Sequence, residues 1–399
     1  MISLKDARFW LLNPFFFYTL SFFTALFFYS LEWSDLYPKL SVELLSFLMF
    51  TGSVSLFLGF FLLNTIKKSF ILLDEYKKTI LISKKNVTVL TYVILFLIIA
   101  EYAYFGGIPI FLVFLGKEFN YQEFGIPTLH VLISPYLSVL STTFFLRYLL
   151  SKDKMYLKPV LIIILYSISV YSRAGLFFQF ISFGILYLVF NFSIRKMFSI
   201  SIFALVFLFL FGVIGDNRMK ALGYGGESEG ILILGQANKN FTNSIIPNQF
   251  FWSYLYISSP IANLQYKDNT YFYQGSISKY LMTNIVPDAI SKRVGSDIED
   301  LKRDNKLLDE SLNVSTLYGN SMQTMHYSGS LFLFFYYIIF VCFFIFFTGN
   351  RFKLVSLVIL CLMSILAIFD NLLFLSGFIM QLIFLLIFSR LTINKLFLI

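Results

Sequence analysis

The chain has 399 residues, 58% of them hydrophobic, and a mean hydropathy of +0.77. Only 13% are charged, about half the share in a soluble domain. The net charge of +9 is spread over short basic stretches between apolar runs, which argues against a nucleic-acid partner. Two cysteines and two histidines argue against a disulfide framework or a metal centre of soft ligands.

Runs of ~20 apolar residues are what a helix needs to cross ~30 Å of hydrocarbon. Ten such runs are read along the chain, near 13–31, 42–63, 88–105, 129–149, 158–172, 174–191, 198–215, 328–348, 353–370 and 372–389. The expected fold is an all-α polytopic membrane protein with three parts: spans one to seven in 1–215, a large polar segment in 216–327, and spans eight to ten with a cytoplasmic C-terminus in 328–399. No cleavage site follows the first run, so it is read as retained. Orientation comes from charge. With the N-terminus inside, the cytoplasmic stretches hold 18 basic and 4 acidic residues, and the short outside connections, together with charges just inside the span ends there, 3 basic and 7 acidic. The positive-inside rule then puts both termini in the cytoplasm and the 112 residues of the polar segment outside.

After the third run, Phe105-Gly106-Gly107-Ile108-Pro109 breaks the helix while the chain stays apolar, so 105–127 is expected to form a re-entrant or interfacial hairpin. The basic stretch from Lys67 to Lys85 reads equally as an interfacial helix on membrane lipid or as an ordinary orienting loop. No P-loop is present, which removes an ATP-driven pump.

Arg173, in the short turn Tyr171-Ser172-Arg173-Ala174-Gly175, has no acid within twenty residues in sequence. A cation at the membrane edge is a functional candidate, and a guanidinium suits phosphate oxygens. Snorkelling to headgroups is the plainer alternative. Arg218, after Gly215-Asp216-Asn217, is expected at the same level, pairing either with a pyrophosphate or with Asp216. His326, followed by Tyr327 where the polar segment re-enters the membrane, is a candidate proton carrier or phosphate contact. His130 is expected to be buried and structural. Among the outer acids Glu101, Asp216, Glu227, Glu229, Asp288 and Asp370, spacing selects no general base. The stretch from Phe250 to Tyr280, with Trp252, Tyr254 and Asn263, interleaves aromatic rings and amides, which suits sugar faces and hydroxyls. An interfacial aromatic belt explains the same residues.

Together these pieces resemble the Wzy-type O-antigen (oligosaccharide repeat-unit) polymerases. The resemblance rests on the span count, Ser172-Arg173-Ala174-Gly175, Gly106-Gly107-Ile108-Pro109, and the large outside segment with Tyr254 through Asn263. It implies a GT-C-like glycosyltransferase of the bacterial inner membrane that uses no cofactor. Such an enzyme moves a growing glycan from undecaprenyl pyrophosphate onto a new lipid-linked repeat unit, in company with a chain-length-regulator protein. Arg173, Arg218 and His326 would then be catalytic, and Trp252, Tyr254, Asn263 and Tyr327 would line the sugar site. An O-antigen ligase shares most of these features. A flippase or small-solute transporter is the non-enzymatic alternative, disfavoured because the spans carry few ionisable residues at mid-depth and no halves match.

Overall fold

The computed structural model describes residues 7–75, 83–116, 119, 124–221, 229–271, 276–294 and 306–390, without the side chains of 73–75, 173, 218, 220, 221 and 229. Among these residues the chain is helical, with no strand and one isolated bridge between Ser34 and Ala237. After a 3₁₀ turn at Arg8–Leu12 come α1 (Pro14–Tyr29), α2 (Val42–Glu75), α3 (Lys84–Phe105), the short α4 (Pro109–Phe114), α5 (His130–Ser151), α6 (Leu157–Ser169), α7 (Arg173–Phe190) and α8 (Ile194–Ala221). The polar segment forms α9 (Glu229–Leu234), α10 (Lys239–Thr242), α11 (Phe250–Thr270), α12 (Ile277–Asn284) and α13 (Asp288–Val294). Then follow α14 (Gly319–Phe347), α15 (Asn350–Leu366) and α16 (Ser376–Arg390).

Four stretches are long and apolar enough to cross a membrane: Val42–Leu72, Lys84–Phe114, Ile194–Asn217 and Gly319–Phe347. The chain is therefore a membrane-associated helical protein. Each of the other six predicted runs also lies on a helix, shorter or more polar than these. Three helices overrun by six residues or more the boundaries expected from hydropathy: α2 continues past 63 to Glu75, α8 continues past Gly215 to Ala221, and α14 begins at Gly319. Hydropathy marks where apolar residues stop, whereas a helix goes on as long as its backbone bonds are met.

α15 is the centre of the bundle. Every residue from Leu354 to Ser364 is buried, and the helix packs on α1, α2, α5, α7, α14 and α16. A helix covered on all sides is apolar on all sides, and from Leu354 to Leu366 the only polar residues of α15 are Ser356 and Ser364. Lipid tails are as apolar as leucine, so hiding these residues from lipid gains little; close packing and hydrogen bonds hold such helices together. Several bonds of that kind cross the core. Tyr337 Oη meets Ser364 Oγ at 2.8 Å, and the Tyr18 and Tyr318 hydroxyls bond each other. Asn13 serves two helices. Its Oδ1 accepts from Phe15 N and Phe16 N to cap α1, with Pro14 following at the first position, while Nδ2 donates to Gly59 O of α2 at 2.8 Å.

The polar segment is folded onto the bundle rather than standing apart. α11 lies against α1, α8 and α14, and α12 lies against α14. α8 accepts the start of α11 closely because Gly212 and Gly215 leave room: a Cβ at Gly215 would sit 2.5 Å from the Trp252 ring. At the expected break after α3, Gly106 takes a left-handed conformation (φ +85°), and its N–H and that of Gly107 both donate to Tyr102 O. α4 then leaves Phe111, Phe114 and Leu115 exposed.

Candidate active site

One end of the bundle holds a cleft of about 680 Å³, within the range of ligand sites. Its walls are the first turns of α5, α7 and α16, the end of α6, and α13 from the polar segment. Chain geometry brings these ends together: α6 and α7 are joined by a tight turn in which Tyr171 is left-handed (φ +54°) and Ser172 N donates to Ser167 O at 2.9 Å. That turn contains Arg173. Its neighbours Ser172, Ala174 and Gly175 line the cleft.

The cleft has an acid–imidazole pair. His130, the first residue of α5, places Nδ1 2.7 Å from Glu101 Oε1 of α3. Glu101 is fully buried and also accepts from the Tyr166 hydroxyl. In the tautomer that donates Nδ1–H to this carboxyl oxygen, Nε2 is left as an acceptor. The His130 side chain is 24% exposed and lines the cleft, whereas Glu101 is sealed behind it. The ring is also held mechanically. Phe124 meets it edge-on at 5.7 Å, and Gly125 (φ +95°) approaches so closely that a Cβ there would lie 2.5 Å from Nδ1. An oriented imidazole with one free nitrogen is the arrangement general base catalysis requires.

The opposite wall is cationic. α13 is clipped to α16 by reciprocal caps: Ser376 N donates to Asp288 Oδ1 at 2.8 Å, and Ala289 N donates to Ser376 Oγ at 2.9 Å. Burial pushes the Asp288 carboxyl up, but hydrogen bonds from Lys292 and Ser376 outweigh it and hold the group below the ordinary carboxylate range. Lys292 pairs with Asp288 at 2.6 Å, and Arg293 stands exposed beside it at the cleft wall. The N-terminus of α7 opens at the cleft with no side-chain cap, so its first N–H groups add partial positive charge. On the floor, Gln179 is 6% exposed and its Oε1 has no partner, which makes it an acceptor for a hydroxyl.

No family model, curated protein or solved structure matches this chain. Its chemistry is read from its own geometry.

The residues singled out in the sequence fall into three groups. Arg173 belongs to the cleft by its position in the α6–α7 turn. Arg218 sits near the end of α8, which packs on α9 and α11 rather than on the cleft helices. The side chains of both arginines lie outside the described residues, as do Glu227 and the side chain of Glu229.

Trp252, Tyr254 and Asn263 do not line the cleft. Tyr254 is 1% exposed, stacks on Phe251 and Tyr37, and accepts from Trp33 N at 3.1 Å. Asn263 is fully buried, with Nδ2 donating to Leu312 O and Val314 O and Oδ1 accepting from Leu308 N. Trp252 donates Nε1–H to Asp216 Oδ1 at 2.8 Å. These side chains tie the polar segment down, and their hydrogen-bonding groups are already used.

His326 and Tyr327 form a separate cluster. His326 Nε2 lies 3.1 Å from Asp268 Oδ1, and Ser41 Oγ and Gln265 Nε2 donate to the other oxygen of Asp268. The Tyr327 hydroxyl is buried near Asp268 and Ser41 without hydrogen-bond geometry to either. The helix breaks here, with His326 at φ +51° and ψ −141°, a region that only glycine adopts freely.

Sequence reasoning missed the pairing of His130 with Glu101, and it missed Lys292, Arg293 and Gln179. One signal was present: Glu101 and His130 are both polar groups at the ends of apolar runs predicted to exit on the same side. Among the described residues no three His, Cys, Asp or Glu come together to hold a metal ion.

Proposed function

We propose that the chain is a membrane glycosyltransferase of the O-antigen polymerase kind, with the α5–α7–α16 cleft as its reaction site. The supporting observation is the juxtaposition, in one cleft, of an oriented imidazole, a cationic wall and the Arg173 turn. On the charge count this end of the bundle faces the periplasm, with ten spans and both termini in the cytoplasm.

The donor is the growing glycan on undecaprenyl pyrophosphate; the acceptor is a hydroxyl at the non-reducing end of a new lipid-linked unit. The acceptor oxygen attacks the anomeric carbon while His130 Nε2 takes its proton and Glu101 steadies the imidazolium. The new C–O bond forms as the bond from the anomeric carbon to the pyrophosphate oxygen breaks. Its electron pair leaves with the lipid pyrophosphate. Arg173, Arg293, Lys292 and the α7 N-terminus stabilise that departing charge, where fixed cations in a low-dielectric site act strongly. Gln179 Oε1 accepts from an acceptor-sugar hydroxyl. The energy is carried in the pyrophosphate bond, so no nucleotide is consumed.

Replacement of Arg173 by Ala in the producing cell, with protein level followed by a tag, tests the reading on a polysaccharide gel. Collapse of the ladder to a single repeat unit supports a polymerase. Loss of even that unit points to a ligase or flippase, and an unchanged ladder contradicts the reading.

A further inference from the structure

At the end of the bundle opposite the cleft, two guanidinium groups have buried nitrogens without partners. Arg147, one turn before the end of α5, is 0% exposed, yet its Nε, Nη1 and Nη2 make no hydrogen bond. Arg351, in the first turn of α15, is half-buried, and its Nε and Nη2 are likewise buried and unpartnered. The two lie close enough to repel each other. Lys353, one residue pair further along α15, is repelled in turn by Lys68 of α2. No carboxylate among the described residues pairs with any of these four groups.

A native fold rarely leaves a buried charge unpaired, because desolvation alone costs several kcal/mol. Here the rings of Phe144 and Phe352, 5.6 and 5.5 Å from the Arg147 and Arg351 guanidinium carbons, give some relief, but they accept no N–H bond in the plane of the fork, and a second cation beside the first adds repulsion. The end of α15 points the same way. Its N-cap is Gly349, with no side-chain cap, and Thr348 Oγ1 beside it is 1% exposed and unpartnered. An open helix N-terminus favours an anion. The arrangement thus offers two planar forks, an uncapped helix end and a spare hydroxyl donor, reached from the surface at Arg351. That is a donor set for the tetrahedral oxygens of a phosphate.

We propose that Arg147 and Arg351, with the N-terminus of α15, hold a phosphate group at the end of the bundle opposite the cleft. Two sources carry that chemistry: the headgroup of an anionic phospholipid in the adjoining leaflet, or free phosphate. Basic pockets between membrane helices are known sites for such headgroups. The site is separate from the reaction proposed for the cleft and stands or falls independently of it.

The test uses the full chain, purified in non-ionic detergent and stripped of lipid. Its thermal unfolding is followed with dioleoylphosphatidylglycerol, with dioleoylphosphatidylcholine, and with inorganic phosphate at matched ionic strength. Wild-type protein should melt roughly 3–6 °C higher with the anionic lipid than with phosphatidylcholine. An equal rise with inorganic phosphate alone assigns the source as free phosphate. Arg351→Gln and Arg147→Met should each abolish the rise. Without any probe, Arg147→Met should melt above wild type, since methionine removes an unpaired buried charge. Should Arg147→Met not fold, Arg351→Gln carries the comparison, its side chain being half-buried. The proposal is overturned if neither anionic probe shifts wild-type protein, if phosphatidylcholine shifts it equally, or if the rise survives in the variants.

Discussion

The polar segment behaves differently in its two halves. Residues 229–271 are bound to the α1–α2 connection by packed rings and hydrogen bonds. Tyr37 stacks on Tyr254 and Trp33 packs tilted against it, Ser34 Oγ donates to Gly235 O, and Ser41 N donates to Gln265. Residues 276–294 use few aromatic rings. They pack on α14 and are fixed to the α15–α16 connection and the start of α16 through Asn371 Nδ2 to Asn284 O and the Asp288–Ser376 caps. The half that looks made for sugar is the clamp. The half with an ordinary charged helix supplies the wall of the cleft.

Substitutions in the two halves therefore separate chemistry from folding, and the largest effect is expected at the cleft. His130→Ala should slow polymerisation by roughly 10²–10⁴-fold, the usual worth of a general base, while its melting temperature changes little. A rate near wild type would remove His130 from the mechanism. In the clamp half the cost should be to the fold. Asn263→Ala strands two carbonyls and one N–H, and should destabilise by about 3 kcal/mol with activity per folded molecule preserved. Activity lost at full stability would instead return Asn263 to the sugar site.

Lys267 gives a pH test of the same half. It is 1% exposed, donates to Gly319 O at 3.3 Å, and burial lowers its ammonium to about 8, partly offset by Asp370. Between about 8 and its ordinary 10.5 the unfolded chain binds the proton and the folded one does not. Stability should therefore rise with pH through that window, by roughly 3 kcal/mol. Lys267→Met should flatten this part of the pH profile and stabilise the protein at pH 7. A profile unchanged by the substitution would show that the amine is hydrated.

The smallest effect lies at the helix break. His326→Gly relieves backbone strain but loses the contact with Asp268, whereas His326→Ala loses the contact and keeps the strain. The Gly variant should melt above the Ala variant by the equivalent of about 1 kcal/mol. Equal stabilities would mean that the backbone relaxes without the histidine.

Much of the helical layout was legible because apolar runs and Gly-Gly-Ile-Pro are local signals. The Arg173 turn stood out too, since a lone cation between apolar runs is conspicuous in one dimension. The partner of His130 was not. Glu101 is 29 residues away on another helix, and a histidine at the edge of an apolar run looks the same whether it packs or reacts. Tyr254 and Asn263 were ambiguous for a related reason. Rings and amides suit a sugar, but they equally suit rings and carbonyls supplied by Trp33, Tyr37 and the 308–314 stretch, and only the tertiary fold decides which they meet.

The central claim is that the cleft, and not the aromatic clamp, carries the reaction. Purified protein in nanodiscs, supplied only with undecaprenyl-pyrophosphate-linked repeat units, tests it most directly through ladder formation on a gel. Wild-type protein and Tyr254→Phe should build the ladder, while Arg173→Ala and His130→Ala, equally folded by thermal melt, should leave single units. A full ladder from both cleft variants, or its loss in Tyr254→Phe alone, would contradict the account.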